Sequence, residues 1–192
     1  MSPDRWPSLI ILDFDGTIVE SVDVKTEAFR ELFGAYSADL DRIMAYHLAH
    51  NGISRHIKFK HIYEEILGVP YDEGLGELTA RRFSGLVFDR VITCPLVPGA
   101  KAFLERFAPR LPLYVVSASP EAELRRVVEA RGLGRHFNGV FGSPGAKVEH
   151  ARQILLCEAA SPSAALYVGD STEDYRVARE LGIPFVGRRN KE

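Results

Sequence analysis

Leu9-Ile10-Ile11-Leu12 is an unbroken run of four large apolar residues that stops at Asp13-Phe14-Asp15-Gly16-Thr17. A short branched apolar run bounded by polar punctuation predicts a strand buried on both faces, as in parallel sheets. The pattern then changes. Between Val22 and about Val91, apolar residues recur at helical spacing in four successive blocks. Ser21 precedes the first, which ends near Phe33 and aligns Val24, Ala28, Phe29 and Leu32. The second covers residues 38–50 with Leu40, Ile43, Met44 and Leu48, and the third 55–67 with Phe59, Ile62, Tyr63 and Ile66. The fourth spans 72–88 and is interrupted by Gly74, Gly76 and Gly85, which weaken a helix.

Beyond Pro98 short apolar runs alternate with helical patterns. Strands are predicted at 112–117, 139–142, 164–170 and 183–186, with helices between them. The helix after the 112–117 strand is expected to start with Ser119 as N-cap and Pro120 at its first position. Such alternation predicts an α/β fold with a mostly parallel, helix-flanked sheet. The four-helix block falls between the first and second strands and reads as an insertion. Residues 1–20 and 92–192 then form the core, and 21–91 a helical cap over the carboxyl edge of the sheet.

Length and charge narrow the function without naming it. The 192 residues suit one domain, or a core with a smaller inserted one. A formal net charge of −2 offers no electrostatic case for nucleic acid or an anionic membrane surface. The only basic cluster, Arg188-Arg189 with Lys191, reads as a solvated tail. Cys94 and Cys157 have no metal-ligand or redox spacing, which argues for a reducing compartment. The chain has no apolar signal region or membrane-length apolar window, so a cytoplasmic location is expected.

Chemistry-bearing residues gather at predicted strand ends and helix starts: Asp13 with Asp15, Ser117, Lys147, and Asp170 with Asp174. Strand ends of one parallel sheet converge on one edge, where such folds bind their ligands. Several carboxylates in one crevice repel unless they surround a hard cation, and Mg²⁺ takes oxygen ligands and pairs with phosphate. Ser117 and Lys147 add a hydroxyl donor and a positive charge for phosphate oxygens. The backbone around Ala118 adds N–H donors. One carboxylate is free to act as nucleophile and its neighbour as acid or base.

On these residues the chain resembles the haloacid dehalogenase (HAD) superfamily. Asp13-Phe14-Asp15-Gly16-Thr17 looks like its first motif, Ser117 after Tyr114-Val115-Val116 its second, Lys147 its third, and Gly169-Asp170-Ser171-Thr172-Glu173-Asp174 its fourth. The resemblance spans nearly the whole chain and implies a Rossmann-like sheet of strand order 3-2-1-4-5 with an all-helical cap, as in phosphoglycolate-phosphatase-like and beta-phosphoglucomutase-like members. It implies that Asp13 is the nucleophile, Asp15 the acid and base, and Ser117 and Lys147 the holders of the phosphoryl group. It further implies Mg²⁺ bound through Asp13, Asp15 and Asp170, with Asp174 supporting directly or through water. Dehalogenases of the superfamily lack an acid at the second position because halide leaves without a proton. Asp15 therefore favours transfer from a phosphate ester.

The implied activity is Mg²⁺-dependent hydrolysis of a small phosphorylated metabolite, a sugar phosphate or phospho-acid, through an aspartyl phosphate. A phosphomutase shares the same motifs, and a non-catalytic receiver-like phospho-switch uses a similar residue set. In the cap, His47, His50, Asn51, Ser54, Arg55, His56 and Lys58 crowd one helix junction. Arg55 and Lys58, one turn apart, either bind a second anionic group of the substrate or form a solvated helix face. Glu20 either gates the crevice or is a surface acid.

Overall fold

The computed structural model describes residues 6–189, so the first five residues and Lys191 of the basic tail lie outside the described residues. Five strands, β1 (Leu9–Leu12), β2 (Leu113–Pro120), β3 (Gly139–Ser143), β4 (Ala165–Gly169) and β5 (Phe185–Gly187), form one sheet in the order β3-β2-β1-β4-β5. Every pairing is parallel. Leu12 lies opposite Val115 of β2 and Val168 of β4, so the chain leaves all three central strands at one edge.

Strand periodicity explains the opening apolar run. Ile10 and Leu12 face one side, packed in a cluster with Leu104, Leu124, Val127 and Val128. Leu9 and Ile11 face the other, with Ala151, Ile154, Leu155, Val177 and Ala178. These partners belong to α5 (Ala100–Phe107) and α6 (Glu121–Ala130) on the first face. On the second they belong to α7 (Lys147–Cys157) and α8 (Thr172–Leu181).

Between β1 and β2 lie α1 (Val22–Leu32), α2 (Leu40–Ala49), α3 (Arg55–His61) and α4 (Glu73–Thr93). Their centre is aromatic: Phe29 meets Phe83 with ring centroids 4.9 Å apart and Phe59 at 5.7 Å, and all three are buried. The predicted third helix is two pieces, α3 and a π-helical turn over Ile62–Ile66. The fourth continues past Phe88 to Thr93 despite its glycines. Tertiary packing overrides propensity there, since a Cβ at Gly76 would lie 2.5 Å from the Tyr71 hydroxyl packed against it.

Two connectors join the helices to the sheet and pair with each other. Glu20 N–H donates to Pro95 O at 2.9 Å, and Val97 N–H to Ile18 O at 3.0 Å. Arg131, at the end of α6, donates to the carbonyls of Val91, Ile92 and Cys94, anchoring the end of α4. Arg188 corrects the expectation of a solvated tail: its guanidinium donates to Gly16 O and pairs with Glu20 at 2.6 Å. Glu20 is thereby an anchor of this segment. Among the described residues no helix is long and apolar enough to cross a membrane.

Candidate active site

Asp13 is the first residue beyond β1 and is 3% exposed. Its Oδ1 accepts from the Phe14 N–H at 2.7 Å, and its Oδ2 lies 3.1 Å from Lys147 Nζ. Lys147 opens α7 and also reaches Asp174 Oδ1 at 2.8 Å. Burial pushes the Asp13 carboxyl well above its usual range, and the Asp174, Asp170 and Asp15 charges add to this while Lys147 opposes it. Burial would discharge Lys147, yet Asp13 and Asp174 outweigh it and keep the ammonium charged.

Asp174 is fully buried in the first turn of α8 and has no open oxygen. Lys147 and Tyr167 donate to its Oδ1, and the Ser171 N–H and hydroxyl to its Oδ2. Ser171 in turn accepts from Asp174 N–H, closing a reciprocal cap on α8. Oxygens of Asp13, Asp170 and Asp174 all lie within 4.8 Å of one another. An all-oxygen set of this kind fits a hard divalent cation. Asp13, Asp15 and Asp170 line the crevice, whereas Asp174 stands behind it.

Gly16 makes this crowding possible. Its φ is +72°, and a Cβ there would lie 2.0 Å from Asp170 Oδ2. Only glycine accepts both that conformation and that approach.

Asp15 has an elaborate setting. Lys25 Nζ lies 2.5 Å from its Oδ2, Ser119 Oγ donates to the same oxygen at 2.9 Å, and Ser21 Oγ to Oδ1 at 2.5 Å. Burial alone would raise this carboxyl; Lys25 and the two hydroxyls outweigh it and hold it at about 2. The two serines account for a correction in the helices. Ser21 holds the cap position of α1 but its hydroxyl makes no capping bond, and Ser119 holds none, since β2 runs on to Pro120 at the cap of α6; both hydroxyls serve Asp15 instead. Ser117 is buried, accepts from Ser119 N–H at 3.2 Å and points to Asp15 Oδ2 at 3.4 Å.

Asp13, Asp15, Ser117, Ala118, Lys147 and Asp170 thus share one crevice, and Arg55 and Lys58 come to its opposite wall with His47 and Asn51. His50, Ser54 and His56 do not line it. Arg55 is not a free anion receptor. Its guanidinium pairs with Glu123 of α6, Nη2 to Oε2 at 3.0 Å, and donates to Ser84 of α4 at 2.9 Å. Lys25 and Glu123 carry no sequence expectation, and Ser119 is expected there only as a helix cap. Lys25 lies one turn after Ser21, and Ser119 two residues after Ser117 on the same strand face, so helical and strand periods carried a signal for both.

At its edge, the helical wall meets the sheet. A Cβ at Gly52 would lie 2.4 Å from the Ser171 hydroxyl, so the 51–52 loop rests on the loop that carries Asp170.

The profile of the haloacid dehalogenase-like hydrolase family matches residues 7–182. The phosphoglycolate phosphatase of Pseudomonas putida is 24% identical over 194 residues, covering 96% of this chain and 70% of its own length. A predicted phosphoglycolate phosphatase from Haemophilus somnus superimposes with a TM-score of 0.74 at 20% identity, over 94% of this chain and 84% of that one. CbbY of Rhodobacter sphaeroides, solved with xylulose-1,5-bisphosphate, gives 0.75 at 17% identity, over 96% and 87%. The chain belongs to the haloacid dehalogenase-like hydrolase family and is a phosphoric monoester hydrolase.

Proposed function

We propose that this hydrolase releases phosphate from a small phosphorylated metabolite with the help of Mg²⁺, and that Asp13 carries the phosphoryl group between two half-reactions. The observation behind this reading is the pairing of Asp13 with Lys147 at 3.1 Å in a crevice also lined by Ser117, Asp15 and Asp170. Asp13 attacks phosphorus, the ester oxygen leaves, and water then cleaves the acyl phosphate to regenerate the carboxylate. Lys147 and Ser117 hold the equatorial oxygens, on which negative charge is spread during transfer.

Asp15 manages the proton. Its low-lying carboxyl rests ionised, the form that accepts a proton from attacking water. To protonate the departing alkoxide, Asp15 first takes a proton from solvent, which requires the Lys25 clamp to loosen as substrate enters. Asp13, Asp170 and the main chain at Asp15 would hold Mg²⁺, with Asp174 fixing Lys147 behind them. When bound, the ion neutralises the phosphate and polarises its oxygens. The helices of residues 21–91 act as a cap that closes on the substrate.

A panel of phosphorylated sugars and acids, assayed with Mg²⁺ and again with EDTA, tests the reading. Phosphate release should require the metal, and Asp13→Asn should abolish it; wild-type rates in that variant would sink the mechanism.

A further inference from the structure

Ser117 and Lys147, assigned above to the phosphoryl group, stand on different segments, the end of β2 and the first turn of α7. Both segments meet at Gly142 of β3. Val116 pairs with Phe141 and Pro120 with Ser143, so residues 117–119 bulge out of the ladder opposite Gly142, and all three line the crevice. A Cβ at Gly142 would lie 2.4 Å from Ser119 O and 2.7 Å from Glu121 Cα. Main chain rests on main chain there, an approach that only glycine permits.

Two side chains grip this glycine. Glu121, the first residue of α6, accepts from Gly142 N–H through Oε2 at 3.1 Å. His150, one turn beyond Lys147 in α7, places Nε2 3.0 Å from Gly142 O. A carbonyl only accepts, so the imidazole carries a proton on Nε2 and donates it. Arg125 braces Glu121 at 2.9 Å. Burial alone would raise the Glu121 carboxyl; the Gly142 N–H and Arg125 outweigh it and hold it below its ordinary range. The imidazole packs on Phe141, with ring centroids 5.3 Å apart. The loop into α7 runs across it, since a Cβ at Gly145 would lie 2.3 Å from His150 Nε2. Neither Glu121 nor His150 lines the crevice. The cap position of α7 is Ala146, which has no side chain to fix the first turn, so the grip from His150 takes that part.

We propose that His150 and Glu121 are positioning residues for the phosphoryl site: by holding Gly142 from two elements, they set the spacing between the Ser117–Ser119 bulge and Lys147. The proposal rests on the phosphatase reading of the crevice and deepens it. Asp13 and Asp174 attract the end of a flexible lysine side chain, whereas the grip on Gly142 fixes where that side chain begins. A displacement of about 1 Å at such a site can cost about a hundredfold in rate.

The test measures release of phosphate from an ester, and inhibition by inorganic phosphate, in the presence of Mg²⁺. His150→Leu keeps the helix and the bulk but removes the donor. It should lower kcat by about tenfold or more and weaken inhibition by phosphate. His150→Gln, whose amide can donate to the same carbonyl, should recover kcat to within about threefold. Glu121→Ala should lower kcat as well, and the double variant should lose less than the two single losses multiplied, because both side chains act on one residue. Ile154→Val, on the buried face of α7, should lower the thermal midpoint without changing kcat. A kcat loss in Ile154→Val equal to that of His150→Leu would make His150 merely structural and overturn the proposal. Wild-type kcat and phosphate inhibition in His150→Leu, or equal losses in His150→Leu and His150→Gln, would also overturn it. Wild-type rates in Lys147→Met would instead count against the phosphatase reading on which it rests.

Discussion

Asp15 shows how far a residue's neighbours decide its chemistry. Its position one residue beyond Asp13 is evident in the sequence; its ionised resting state is not, because that depends on Lys25, Ser21 and Ser119 converging from α1 and β2. The same two serines looked like helix caps because local spacing cannot reveal a tertiary acceptor. Removing Lys25 tests this setting. The Asp15 carboxyl, at about 2 in the fold against an ordinary 3.8, contributes stability that is present above about pH 4 and lost as pH falls toward 2. In Lys25→Met only the Ser21 and Ser119 hydroxyls still oppose burial, so most of that contribution is lost. An acid titration followed by circular dichroism should show the variant unfolding at a higher pH than the wild type, and coincident curves would deny the clamp.

Among the elements, the strands were the most legible and the helix ends the least. Leu9–Leu12 and Ala165–Gly169 announced themselves as apolar runs ending in acids, since burial on both faces leaves no room for polar residues. The extension of α4 to Thr93 had no local signal, because Arg131, far along the chain, donates to its last carbonyls. Arg55 is the counterpart in function. Its place one turn before Lys58 suggested a shared anion site, and only the arrival of α6 with Glu123 turns it into a fastening. Glu123→Gln should therefore loosen α3 and α4 together. Faster amide exchange in both helices, with KM raised alike for acidic and neutral substrates, is the expected result; exchange confined to α6 would contradict it. The aromatic centre around Phe29 keeps the helices folded meanwhile, since truncating such a ring to alanine costs about 3–5 kcal/mol.

For the whole molecule, the proposed cation would link stability to the acids at the sheet edge. Asp13, Asp170 and Asp174 bring their oxygens within 4.8 Å, and Lys147 alone offsets only part of their repulsion. Mg²⁺ at about a hundred times its Kd should stabilise the fold by about 2.7 kcal/mol. That corresponds to a rise of roughly 5–10 °C in Tm for a chain of this size. Asp170→Asn should remove most of that rise in a melting experiment, and an undiminished shift would place the ion elsewhere. The sheet order was foreseeable from the family resemblance, and the gathering of Asp13, Ser117, Lys147 and Asp170 at one edge from parallel topology, which brings strand ends together. How closely the helices press on that edge was not, as it depends on two glycines whose significance lies in what touches them.

Gly52 is one of those glycines, and its approach to Ser171 leaves no room for a side chain between the helices and the loop that follows β4. Any larger residue there would have to push the two apart, so the fit of the helical block on the sheet edge hangs on one absent methyl group.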